Sequence, residues 1–206
     1  MLLLTMVTIF LFCNMLEAEE AEEDYIAMTR LGIICQDKGD RSGAMRLFKN
    51  AVKVNPDYPF AHFFLGRLYF LMQKEDEAVS EFDIFRKKMN LLQDVSEDMK
   101  KEYMEKLSYI SEVYFTLKRY PETKEVIGEI MELDPKNQDA HYNLGVYYYT
   151  YEHNRSKAYQ LFKKVIDLDP TTNAAKNSKY AIEFMRNNPD PRVAPDFSFI
   201  EKEYGK

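Results

Sequence analysis

The sequence lacks the residues and motifs on which most enzyme sites depend. It has no Trp, and only seven of its 206 residues are Gly, eight are Pro and two are Cys. Cys13 and Cys35 are too few for a disulfide framework or a four-cysteine zinc site. No nucleotide-binding, metalloprotease or serine-hydrolase motif is present. The sequence therefore predicts no catalytic residue, no cofactor and no metal site, and we expect a protein that is not an enzyme.

Clusters of basic residues are also scarce. Asp and Glu outnumber Lys and Arg by 34 to 28, which gives a formal net charge of −6. Nucleic-acid binding requires clustered Lys and Arg, so we expect no nucleic-acid partner. What the sequence does have is a folded-protein composition, since 46% of the residues are hydrophobic and 30% are charged. The 15 Tyr and 14 Phe provide aromatic bulk for a helical core.

Residues 139–170 contain two amphipathic helical patterns joined by a short polar turn. The first pattern carries a Leu-Gly pair and a Tyr, the second carries an Ala and a Phe, and a Pro closes the unit. These residues are Leu144, Gly145, Tyr148, Ala158, Phe162 and Pro170. Their order and spacing resemble the tetratricopeptide repeat (TPR), a unit of two helices, here called A and B. The resemblance implies an all-α TPR solenoid, a right-handed superhelix of antiparallel helix pairs.

The same pattern recurs along the chain. Gly32 and Gly66 are 34 residues apart, and so are Phe48 and Phe82. A period of 34 with matching residue types is typical of TPR arrays. The predicted units are repeat one (25–58), repeat two (59–92), repeat three (93–137), repeat four (138–172), a capping helix (173–188) and a C-terminal tail (189–206).

Repeat three departs most from the pattern. Ser111 stands where the other repeats have Gly, and Ile127 stands where they have Phe. Asp94 and Glu97 match a capping box, so we expect an extended first helix that starts early and runs to about Leu117. Repeat four is closer to the pattern but has one additional residue in the turn between its helices.

The resemblance also implies a concave face that is lined by the A helices and binds a peptide or protein segment. Projecting the inner positions of repeats two to four gives the candidate partner-binding residues. They are Phe60, Phe63, Arg67, Phe70, Glu105, Glu112, Phe115, Asp139, Tyr142, Val146 and Tyr149. These aromatic residues form either an exposed groove or a surface covered by neighbouring repeats or by the tail.

Residues 1–18 are predicted to be a signal peptide or a membrane anchor. Residues 1–16 carry no charged side chain and are as long as the apolar part of an export signal, but shorter than a transmembrane helix. Ala18 offers a cleavage point, although no Lys or Arg precedes the apolar run. We expect export to the periplasm or cell envelope, with membrane association through residues 2–16 as the alternative. Lipidation at Cys13 and packing on the first repeat as an apolar helix stay open.

Two further features concern the C-terminal tail and the histidines. Phe197, Phe199 and Ile200 make the tail more apolar than a solvated terminus requires, so we hypothesise that it packs on the array; a disordered terminus is the alternative. His62 and His141 occupy one repeat position, where the family often has Trp, and are predicted to be packing residues.

The sequence favours a non-catalytic protein–protein interaction module, a TPR scaffold or assembly factor whose partner is not identified. The alternative is a self-assembling module that stacks repeats between copies. One TPR subfamily clamps acidic peptide ends with Lys, Asn and Arg on its inner face. The matching positions here cannot form that clamp, because they hold Thr29, Ile33, Phe64, Glu105 and Tyr109.

Overall fold

The computed structural model describes residues 24–92, 95–188 and 190, and the chain divides into two compact units after Ser96. Every regular element in these residues is an α-helix, as the sequence predicted. The helices of the first unit are α1 (24–37), α2 (Arg41–Val54), α3 (Pro59–Leu71) and α4 (Glu75–Leu91). Those of the second unit are α5 (Glu97–Thr116), α6 (Tyr120–Leu133), α7 (Gln138–Thr150), α8 (Arg155–Leu168) and α9 (Asn173–Asn187).

The helices come in pairs whose members are joined by short turns. The pairs are α1 with α2, α3 with α4, α5 with α6, and α7 with α8, one pair for each predicted repeat, although α1 begins one residue before the predicted start of repeat one. The single helix α9 lies in the predicted capping range. The exact repeat limits stay predictions. The predicted signal or anchor segment, the first residue of the capping box and the apolar tail residues lie outside the described residues.

The turns between the helices of each pair share one backbone feature. Gly39, Gln73, Lys118 and His153 all have a positive φ, between 52° and 81°. A left-handed residue ends an A helix and reverses the chain, and Gly adopts this conformation without the steric cost that the other three bear. Side-chain caps then start several helices; for example, Asp40 accepts a hydrogen bond from the Gly43 amide at 2.8 Å.

A Gly–Phe contact holds helix A against helix B in repeats one, two and four. A Cβ atom added at Gly32, Gly66 or Gly145 would lie 2.5, 2.9 or 2.6 Å from the ring of Phe48, Phe82 or Phe162, respectively. Real Cβ atoms do not approach that closely, so the three positions require Gly. The three Phe side chains are fully buried. Helices A and B therefore approach each other so closely that only Gly, which has no side chain, fits at these positions.

Repeat three replaces this contact. Ser111 and Ile127 are both buried at the corresponding positions of α5 and α6. The Ser111 hydroxyl donates to the Ser108 carbonyl at 2.8 Å, which satisfies a polar group that burial would otherwise penalise. Repeat three thus has a larger residue, Ser111, at the Gly position of helix A and a smaller one, Ile127, at the Phe position of helix B.

The two repeated histidines are packing residues, as expected. His62 is buried and contacts the Glu81 carboxylate through Nδ1 at 2.6 Å and the Pro56 carbonyl through Nε2 at 3.0 Å. His141 is also buried, and its Nε2 lies 3.0 Å from the Pro135 carbonyl. Each ring therefore ties an A helix to the proline turn that precedes it.

Candidate functional site

The projected inner positions of the first unit are mostly covered. Phe60 and Phe63 are buried in α3, whereas Arg67 and Phe70 are half-buried. The Phe63 ring centroid lies 5.3 Å from that of Phe85 in α4, and the Phe60 centroid lies 6.0 Å from the same ring. These two aromatic side chains pack inside their own helix pair, which is the covered arrangement that the sequence left open.

The same holds for three positions of α7 in the second unit. Tyr142, Val146 and Tyr149 are buried in a core cluster that includes Phe162 of α8 and residues of α9. Burial raises the pKa of the Tyr142 hydroxyl well above its ordinary value. Phe115 of α5 is half-buried and packs against this cluster. These residues therefore belong to the core of the repeat and leave little side-chain surface for a partner to contact.

The three acidic residues among the projected positions of the second unit are all exposed. Glu105 and Glu112 lie seven residues apart on α5 and so share one helix face, while Asp139 lies in the first turn of α7. Surrounding protein atoms raise the pKa of Glu112, and the nearby charge of Asp139 raises it further. Partial desolvation also raises the pKa of Asp139. We call Glu105, Glu112 and Asp139 the acidic patch.

Solved structures of similar fold were found for most of the chain. MamA 41-end from Desulfovibrio magneticus RS-1 matches with a TM-score of 0.62 and 18% identity, over 82% of this chain and 87% of that one. A tetratricopeptide repeat protein from Parabacteroides merdae matches with a TM-score of 0.64 and 20% identity, over 89% and 68%. PilF from Pseudomonas aeruginosa matches with a TM-score of 0.63 and 16% identity, over 84% and 73%. The chain has the TPR fold.

No protein-family model matches the sequence, and no curated protein matches it. At identities of 16% to 20%, the structural likeness establishes the all-α TPR solenoid fold but does not identify a binding partner or a biological process. The acidic patch therefore has to be interpreted from its own chemistry.

The acidic patch offers carboxylate oxygens, which accept hydrogen bonds from cationic groups. Carboxylates accept hydrogen bonds from Lys, Arg or an amino terminus, and a neighbouring positive charge lowers their pKa. Glu112 and Asp139 instead have raised pKa values, so the surrounding protein does not compensate for the desolvation of either carboxylate. In the described part of the chain, no group of three or more His, Cys, Asp or Glu residues could hold a metal ion.

A tyrosine cluster on α6, α7 and the following turn escaped the sequence reasoning. The rings of Tyr120 and Tyr151 stack with centroids 4.4 Å apart. The Lys124 ammonium lies 5.1 Å from the centroid of Tyr148, and it forms an ion pair with Glu152 at 2.9 Å. The signal in the sequence was the run of Tyr residues before the enlarged turn. Lys124 belongs to repeat three and Tyr148 to repeat four, so the cluster joins the two repeats. Lys124 also occupies the cation position beside Tyr148, so we do not assign this cluster to partner binding.

Across the described ranges, no helix is both long enough and apolar enough to cross a membrane. The export and envelope location expected from residues 1–18 stays a prediction.

Proposed function

We propose that the protein is a non-catalytic TPR scaffold or assembly factor that binds a basic protein segment on the A-helix face of α5 and α7. The observation that carries this proposal is the pair Glu112 and Asp139, two exposed carboxylates whose pKa values are raised. The TPR fold supports it, because the family resemblance implies partner binding on the face formed by the A helices.

A cationic partner would relieve the electrostatic cost of this pair. Two like charges close together disfavour ionisation, and partial desolvation adds to the effect. A Lys or Arg side chain placed between them would form charge-assisted hydrogen bonds, which contribute roughly 1.5–3 kcal/mol each when they are well formed. The free energy that the folded protein loses by holding the two charges together is thus recovered on binding.

Apolar contact beside the charges would come from Phe115. It lies three residues after Glu112 on α5, so the two side chains are neighbours on one helix face. The ring is only half-buried, and its other side rests on the core cluster of α7 to α9. A segment with a basic residue next to an apolar residue therefore fits this surface better than a purely charged segment does.

Binding of two fluorescent ten-residue peptides tests the proposal. One contains Lys, Leu and Ala, and the other has Glu in place of each Lys. We expect the Lys peptide to bind, and we expect the variant Glu112→Gln/Asp139→Asn to bind it roughly tenfold to a hundredfold more weakly. Fluorescence anisotropy at about 0.1 M salt measures both affinities.

The matched control is Glu132→Gln/Asp167→Asn, which removes two exposed carboxylates from the B helices α6 and α8. It makes the same change in net charge within the same two repeats but leaves the A-helix face intact. If both double variants bind the Lys peptide equally, attraction is set by overall charge and the A-helix face is not the site. If the Glu peptide binds as tightly as the Lys peptide, the proposal of a basic partner is wrong.

A further inference from the structure

The first helix of the structure has an uncovered apolar surface. Leu31 is 52% exposed and Ile34 is 48% exposed, and Ala27 is exposed on the same side of α1. Residues spaced four and three apart lie in one stripe along a helix. We call Ala27, Leu31 and Ile34 the α1 stripe. Single exposed apolar residues are common on proteins, but a continuous stripe on one helix usually marks a surface that another element covers.

Repeat two shows what normally covers this stripe. Leu65 and Leu68 of α3 lie 34 residues after Leu31 and Ile34, and they are only 3% and 0% exposed. They pack in one core cluster with Ala44 and Phe48 of α2, which is helix B of repeat one. An A helix of this chain thus places these two positions against the helix that precedes it.

The residues that precede α1 have the composition that the stripe requires. Residues 1–16 contain no charged side chain and are rich in Leu, Ile, Phe, Met and Val. Seven residues, 17–23, separate them from α1 in the sequence. We propose that residues 2–16 pack on the α1 stripe and cap the first repeat.

Tethering favours this segment over other occupants. A segment held within a few residues of its site has an effective concentration near millimolar, which a second copy of the chain reaches only at high protein concentration.

Thiol labelling of the intact chain tests the proposal. In a Cys13→Ser/Cys35→Ser background, Ile34→Cys places a thiol on the stripe, and Ser80→Cys places a control thiol on the exposed side of α4. We expect a maleimide reagent to label position 34 at least tenfold more slowly than position 80. Replacing residues 2–16 by a Gly-Ser sequence of equal length should bring the two rates together. Equal rates in the intact chain would overturn the proposal.

Three further readouts separate the occupants. Protection of position 34 that is unchanged over a hundredfold range of protein concentration supports the tethered segment, whereas protection that grows with concentration points to a second copy and overturns it. Loss of protection with phosphatidylcholine–phosphatidylglycerol vesicles, together with flotation of the protein, places the segment in the bilayer and overturns it. An intact mass that lacks residues 1–18 in protein purified from its own cells shows a removed signal and also overturns it.

Discussion

Repeats three and four differ in how helix A meets helix B. In repeat four, Gly145 allows the Phe162 ring to lie where a Cβ atom would be, at 2.6 Å. In repeat three, Ser111 occupies the Gly position and Ile127 the Phe position, and both are buried. The added atoms on helix A are matched by lost atoms on helix B. We therefore hypothesise that the two positions form one packing unit, in which the total side-chain volume matters more than the identity of either residue.

The largest expected effect comes from breaking this unit in repeat four. Gly145→Ser adds a side chain where the buried Phe162 ring leaves no room, so we expect the free energy of unfolding to fall by about 1–3 kcal/mol. Urea denaturation followed by circular dichroism measures the change.

Gly128→Ser is the matched control for that substitution. Gly128 lies in α6, and a Cβ atom there meets nothing within 4 Å. Ser has the higher helix propensity, so this variant should be stabilised slightly, by a few tenths of a kcal/mol. A loss of stability in both variants would show that the Gly–Phe contact is not the reason that Gly occurs at position 145.

The next effect is the recovery expected when the whole unit is exchanged. Gly145→Ser/Phe162→Ile gives repeat four the pair that repeat three already uses. We expect the double variant to be more stable than the sum of the two single changes implies, with a coupling energy of roughly 0.5–3 kcal/mol. The same denaturation measurements on the wild type, both single variants and the double variant give this number. Strict additivity would mean that the two positions do not compensate for each other.

The sequence predicted the packing but not the exposure of its residues. A period of 34 locates Gly, Phe and Leu positions because TPR packing repeats with the chain, and this correctly gave the all-α TPR fold. The same period cannot say how much of Phe63 or Tyr149 is covered, because that depends on the neighbouring helices. It also could not identify the approach of Glu112 to Asp139, since that depends on how α5 and α7 are placed in the fold.

A smaller effect concerns the histidine position. The Glu81 carboxylate lies 2.6 Å from Nδ1 of His62 in repeat two, whereas Nδ1 of His141 in repeat four is buried without a hydrogen-bond partner. Aligning Phe82 with Phe162 places Leu161 at the position of Glu81. We expect Glu81→Leu to lower the free energy of unfolding by about 0.5–1.5 kcal/mol, because it leaves one ring nitrogen of His62 without its partner.

Leu161→Gln is the complementary change, since it offers the Nδ1 atom of His141 an amide donor. Its net effect should be below that of Glu81→Leu, because the lost apolar contact offsets the new hydrogen bond. Thermal unfolding compares the two variants. If Glu81→Leu is neutral, the Glu81 contact does not stabilise repeat two, and the two histidine sites are equivalent in energy.

The smallest effect tests the acidic patch where repeats three and four meet. Folding raises the pKa of Glu112 and Asp139, so between the unfolded and folded pKa values the folded protein binds more protons than the unfolded chain. Its stability therefore falls as the pH rises through that interval, and the two carboxylates weaken the fold at pH 7. Glu112→Gln/Asp139→Asn should raise the free energy of unfolding at pH 7, by less than about 0.5 kcal/mol because water screens both exposed groups.

The gain should be present at pH 7 and absent at about pH 3, where both carboxyls are protonated in the folded and the unfolded chain. Thermal melts of wild type and variant at the two pH values measure the difference. A gain of equal size at both would show that packing, and not charge, is responsible, and it would remove the electrostatic reason for a basic partner.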